Sequence, residues 1–408
     1  MRHGLGAVLS PGGVRMPRAM NVVPTTAPVA PAAALAERNA SRLVFLIAGL
    51  SPAAWAPMVP YAKARAGLDD GALGLLLLGL GLGSIIAMPV AGALVTRFGC
   101  RRVIVPAVAI MGAALPLLGV LSGFTGLMLA LFLFGIGVGA LDCAMNVQAI
   151  LVERRTARPI MSGLHGLYSV GGIVGAGAVS GLLGLGASPL LAVLCVVVAL
   201  CVALGLAWPN LLTDGSASGA PLFAVPRGPI LLIGALCFVV FLAEGAMLDW
   251  SAVFLTTEHD LDAAWGGLGF AVFSVAMTVC RLTGDAIVAR LGRTRVVVAG
   301  ALVAAAGLGL ATLLPSVVAT MLGFALIGIG CANIVPVLFT AIGNQSAMPE
   351  GAAVAAVTTL AYAGILVGPA GIGFVASASS LSVPLLMLAG MLILVAATAP
   401  RVLVPVDG

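Results

Sequence analysis

The chain has 408 residues, 61% of them hydrophobic and 8% charged, with a formal net charge of +5. A soluble chain carries charge on about a quarter of its residues, so a soluble globular enzyme is excluded and the surplus of arginine does not read as nucleic-acid binding. Seven cysteines without C-x-x-C spacing and three scattered histidines give no disulfide framework and no metal-ligand set.

Residues 1–40 are rich in Pro and Ala and lack a continuous apolar core. They read as a disordered cytoplasmic tail, not a cleavable signal peptide, with Met16 and Met20 as alternative starts. A helix needs about 20 apolar residues to cross hydrocarbon. Twelve such spans are predicted, at about 43–62, 71–96, 102–122, 124–152, 159–186, 188–208, 230–256, 262–290, 295–314, 316–343, 351–377 and 380–400. Residues 210–228 gather Gly, Ser and Pro and read as a cytoplasmic linker. The chain thus divides into six-helix bundles at 41–209 and 229–408.

Basic residues set the orientation, because cytoplasmic loops are enriched in Lys and Arg. Arg38, Arg42, Arg97, Arg101, Arg102, Arg154, Arg155, Arg158, Arg227, Arg290, Arg293, Arg295 and Arg401 fall on one side of alternating spans. Lys63 and Arg65 fall on the other, with an acidic patch at Glu258, Asp260 and Asp262. Both termini are therefore expected in the cytoplasm.

The halves repeat. "RFGCRRV" begins at Arg97 and "RLGRTRV" at Arg290, and "GIG" begins at Gly135 and Gly328; 290 − 97 and 328 − 135 are both 193. Parallel repeats of six spans place a substrate site between them near the bilayer midplane, which argues for a transporter.

The stretch "GALVTRFGCRR", Gly92 to Arg102, resembles the loop signature of the major facilitator superfamily, Gly-x-x-x-Asp-Arg-x-Gly-Arg-Arg. Thr96 stands for the usual Asp and Cys100 for a basic residue, and the second-half copy keeps Asp285, Arg290, Gly292, Arg293 and Arg295. "MNVQAILVERR", "MSGLHGLYSVGGIVGA", "EGAMLDWSAVFL" and "ANIVPVLF" resemble the bacterial inner-membrane YbjJ-like branch, related to fucose–proton symporters. The resemblance implies an all-α membrane protein of twelve helices in two pseudo-repeat bundles. It also implies that spans 1, 4, 7 and 10 line the cavity, and that Asp142, in span 4, takes part in proton coupling. The Asp that those symporters carry in span 1 is missing from "LSPAAWAPMVP".

Asp142 and Asn146 are four apart and share a helix face, which Glu153 extends towards the cytoplasm. A carboxylate in hydrocarbon costs on the order of 2.5–3.5 kcal/mol, and such groups are functional by default. Asp142 is the candidate proton carrier; the alternative is an acid satisfied by a neighbouring helix. Trp55, Asn146, Tyr168, Glu244, Asn333 and Tyr362 are candidate substrate ligands, an indole for an apolar sugar face and polar groups for hydroxyls. Trp55 is equally placed for packing, and Asn333 for a backbone carbonyl. His165 reads as a packing residue, and Asp249 as a partner of Lys63 or Arg65. Arg281 and Asp285 form an i,i+4 pair. With Arg97, Arg101, Arg102, Glu153, Arg290 and Arg293 they read as a cytoplasmic gate.

The expected function is secondary transport of a small polar solute, sugar-like by resemblance, by alternating access with proton coupling. Alternatives are a drug or metabolite exporter, a uniporter, and a non-transporting membrane sensor or scaffold. No cofactor and no metal is expected. The expected partners are a small-molecule substrate, protons and the lipid bilayer, with no nucleic acid and a monomeric chain.

Overall fold

The computed structural model describes residues 31–68, 70–213, 225–261 and 268–403. Most of the expected tail, Met16 and Met20, most of the linker, and Asp262 lie outside these residues. Twelve helices among the described residues are long and apolar enough to cross a membrane. They are span 1 (Ala32–Ala66), span 2 (Leu75–Phe98), span 3 (Arg101–Val120), span 4 (Phe124–Thr156), span 5 (Met161–Gly184) and span 6 (Pro189–Asn210) in the first half. The second half has span 7 (Pro229–Glu258), span 8 (Leu268–Leu291), span 9 (Arg293–Leu313), span 10 (Val317–Ile342), span 11 (Glu350–Ser377) and span 12 (Ser382–Leu403).

The expectation of a tail to residue 40 is corrected at its end, because the first helix starts at Pro31. Ala32–Ala36 are short and helix-favouring apart from one Leu, so propensity continues the helix beyond the apolar run. Span 1 is also not straight. Its helix ends at Trp55, turns through a 3-10 segment at Ala56–Met58, and resumes at Val59. Pro52, Pro57 and Pro60 crowd that bend, and a proline removes a helical donor and clashes with the preceding turn.

The 193-residue repeat is a repeat of backbone geometry. Gly99 (φ 83°) and Gly292 (φ 81°) share a positive φ after spans 2 and 8, which only glycine adopts without penalty. A Cβ on Gly135 would run into the Leu80 carbonyl, and one on Gly328 into the Phe273 carbonyl; 135 − 80 and 328 − 273 are both 55. Small residues at these crossings let helix backbones touch, which is how helices pack without a hydrophobic drive.

Between the halves, span 2 packs on span 11 and span 5 on span 8, and span 4 also meets spans 10 and 11. The arginine-rich loops share one end of the bundle, called the basic face below. Every hydrogen bond or ion pair joining two described residues of different halves lies between that face and the level of Arg281. The molecule is closed at its basic face.

Candidate functional site

Arg281 lies ten residues from the basic end of span 8, about 15 Å in at 1.5 Å per residue and therefore near the middle of a ~30 Å core. Its pairing with Asp285 is corrected. The guanidinium donates from Nη2 to Glu244 Oε1 of span 7 at 2.8 Å, from Nε to the Ala332 carbonyl of span 10 at 3.2 Å, and from Nη1 to Ser169 Oγ of span 5 at 3.3 Å. The side chains are 8% and 22% exposed for Arg281 and Glu244. Arg281 is thus a buried tie between the halves at midplane, not part of the basic-face gate. A helix of its own cannot satisfy a buried guanidinium, which has five donors in a fixed fork, so it reaches to three other helices.

The seat at Ala332 has a local cause. Span 10 is broken into Val317–Cys331 and Ile334–Ile342. Pro336 has no N–H to give to the carbonyl four residues back, and that carbonyl is Ala332. At the break, Asn333 Nδ2 donates to the Cys280 carbonyl at 3.4 Å, while its Oδ1 is buried without a partner among the described residues.

Asp142 lies on the other side of this polar layer. It lines a cavity of about 10 Å³ with Ala48, Met111, Val138, Leu141, Tyr168 and Tyr362. That is room for roughly one water. Among the described residues no hydrogen bond or ion pair reaches its carboxylate, whereas its backbone carbonyl accepts from Asn146 Nδ2 at 2.9 Å. Tyr168, which lines this cavity, is next in sequence to Ser169, whose hydroxyl accepts from Arg281. Tyr362 also packs its ring 6.0 Å from that of Phe241 in span 7.

The structure therefore gathers Asp142, Tyr168 and Tyr362 around one cavity and Glu244, Arg281 and Ser169 around one guanidinium. Asn333 sits beside the second group. Trp55 and Asn146 do not line the Asp142 cavity; both are buried, with Trp55 Nε1 and Asn146 Oδ1 lacking partners among the described residues. His165 packs between the rings of Phe45 and Phe339, centroids 5.2 and 6.0 Å away, which fits a packing histidine. Gln148 donates to Ser41 Oγ at 3.4 Å and accepts from the Leu212 N–H at 3.2 Å, pinning span 1 and the chain after span 6. Arg65 does not reach Asp249. It donates to the Leu118 and Leu121 carbonyls at 2.7 and 2.9 Å, the orphaned acceptors at the end of span 3.

At the basic face two carboxylates hold the start of span 5. Glu153 accepts from the backbone N–H of Ile160 and Met161 at 2.9 and 3.1 Å, and Asp285, from the other half, accepts from Gly163 N–H at 3.1 Å. Acids are favoured at that positive helix end. Arg293 Nη2 lies 3.8 Å from Glu153 across the seam, and Arg154 pairs with Glu350 at 3.1 Å, a crossing the sequence did not mark. The other expected gate arginines do not cross. Arg101 donates to the Pro209 carbonyl at 2.8 Å within its own half, Arg97 lies 5.1 Å from the ring of its neighbour Phe98, and Arg102 and Arg290 are exposed.

The Major Facilitator Superfamily description matches residues 43–278. An uncharacterized MFS-type transporter of Yersinia pestis is 52% identical over 369 residues, covering 90% of this chain and 96% of that protein. An uncharacterized transporter of Sinorhizobium fredii is 34% identical, covering 87% of this chain and 95% of its own. Among solved structures, a variant of the Escherichia coli fucose:proton symporter superposes with a TM-score of 0.71 at 16% identity, covering 90% of this chain and 98% of the other. The solved neighbours share the overall fold, and the matches in sequence show that the chain belongs to the Major Facilitator Superfamily of membrane transporters rather than to any class of enzyme.

Proposed function

We propose that the chain is a secondary transporter of the bacterial inner membrane, with both termini cytoplasmic, that moves a small polar solute by alternating access and couples the movement to protons. The basic face is then the cytoplasmic one, and the described arrangement is closed towards the cytoplasm. Asp142 carries the proton. The observation that carries this reading is the Asp142 cavity: a carboxylate with no partner among the described residues, two tyrosine neighbours, and space for a single water. Such a site accepts a proton or a hydronium-sized guest but no solute. In this reading the solute is held between the halves once they part, with Glu244, Asn333 and the two tyrosines as its candidate hydrogen-bonding partners. A sugar-like compound fits those groups, and the motif resemblance to fucose–proton symporters supports it.

Tyr168 at the acid and Ser169 at the Arg281 tie are consecutive residues of span 5. Loading Asp142 removes a charge near the tie, so the energy of the tie differs between the two protonation states. A guest shifts a conformational equilibrium only by its differential affinity for the two states, and this arrangement supplies one.

The test begins with a thermal-stability screen over sugars and organic acids to find a ligand. Its transport is then followed in liposomes with an internal pH dye. Asp142→Asn should still bind the ligand but lose proton-driven accumulation, by at least about tenfold. Undiminished accumulation overturns the assignment. Transport without proton movement in the unaltered protein supports the uniporter reading.

A further inference from the structure

A second polar concavity lies far from the midplane. On the basic face of the second half, a cleft of about 860 Å³ opens between the start of span 7, the turn joining spans 8 and 9, the segment after span 10, and the end of span 12. Pockets of roughly 300–1,000 Å³ hold small molecules. Arg293, Arg295 and Arg401 line it, with Thr294, Asn344 and Ser346 supplying further polar groups, and no Asp or Glu among the described residues joins them. Ile233, Leu291 and Val402 form apolar wall.

The balance of charge is the telling feature. Arg295 and Arg401 are exposed, and neither has an ion-pair partner among the described residues. Arg154 and Arg155, on the same face, are each neutralised by a glutamate, at 3.1 and 2.7 Å. Arg293 is held only loosely, 3.8 Å from Glu153, beyond hydrogen-bond distance. Arg293 and Asn344 also line an adjoining cavity of about 220 Å³ with Arg154 and Arg158 of the first half. Three guanidiniums line one concavity, two of them with no carboxylate partner among the described residues and the third met only loosely by Glu153, and such a set suits a tetrahedral oxyanion because the planar fork matches phosphate geometry.

We propose that this cleft binds a phosphate-bearing anion, either the headgroup of an acidic phospholipid or a soluble phosphate compound. The two sources share the same chemistry. Occupancy draws on Arg293 and so competes with Glu153 for it at the seam between the halves. The proposal does not depend on the transported solute or on Asp142.

The test uses the full chain in phosphatidylcholine nanodiscs. One arm titrates inorganic pyrophosphate calorimetrically; the other exchanges in 20% phosphatidylglycerol and counts retained lipid by native mass spectrometry. The variant is Arg295→Gln/Arg401→Gln, at exposed positions without ion-pair partners among the described residues, and the charge-matched control is Arg97→Gln/Arg102→Gln on the same face. Each lost guanidinium–phosphate contact is worth about tenfold in affinity, so the double variant should lose about a hundredfold, while the control loses less than threefold. Loss in the pyrophosphate arm identifies a soluble source, and loss in the lipid arm a headgroup. Binding of neither probe, or equal losses in variant and control, overturns the site.

Discussion

The two halves of the molecule share a scaffold and differ in charge. At one offset of 193 residues they repeat the positive φ at Gly99 and Gly292 and the close approaches of Gly135 and Gly328. At that same offset Arg281 falls on Met88 and Asp142 falls on Val335, since 281 − 88 and 335 − 142 are both 193. Met88 and Val335 are buried and apolar. The repeat thus holds helix spacing constant, while each half carries a polar device that the other lacks. The first half has an acid without a partner, and the second has an acid locked to a base. A pair that is already satisfied is suited to bearing structure, and an unsatisfied acid is suited to exchanging a proton.

Substitutions that copy one half into the other test this difference most strongly. Arg281→Met writes the first half's residue into the second and leaves Glu244 buried without a counter-charge. Breaking a buried pair in this way costs about 3–5 kcal/mol, read as a lower thermal midpoint of the purified protein. Adding Glu244→Gln should recover most of the loss, since no buried charge then remains. A double variant as unstable as the single one means the pair is not what Arg281 contributes. The shared scaffold predicts equal effects instead. Gly135→Ala and Gly328→Ala each press a methyl against a backbone carbonyl and should each cost about 1–3 kcal/mol. A large cost in one half alone breaks the geometric equivalence. The smallest effect belongs to the seam: Glu350→Gln removes the partly exposed Arg154 pair, worth about 0.2–1 kcal/mol. Its effect on the thermal midpoint should vanish in high salt, where such pairs are screened.

The twelve spans were legible because each writes its own signal, an apolar run ended by arginine or a turn. The repeat was legible because glycine has no substitute at a positive φ or a backbone crossing. Asp142 was legible as an acid in an oily run. Arg281 was misplaced for a reason that applies to any single sequence. Its nearest opposite charge along the helix is Asp285, whereas its partner in space, Glu244, is 37 residues away on another span. The Arg154–Glu350 crossing, 196 residues apart, was missed on the same ground. The break in span 10 did leave a trace. Pro336 in "ANIVPVLF" marks the carbonyl it strips of a donor, but apart from Asn333 the run is apolar and the composition hides it.

That proline has a consequence for how the tie can vary. One of the three anchors of Arg281 is a main-chain oxygen, which no substitution at residue 332 can delete. What holds the anchor open is a hydrogen that is absent at residue 336. The guanidinium's address is therefore written at a position it never touches, and a change of Pro336 to any other residue would put a rival donor at that oxygen while leaving every side chain of the tie in place.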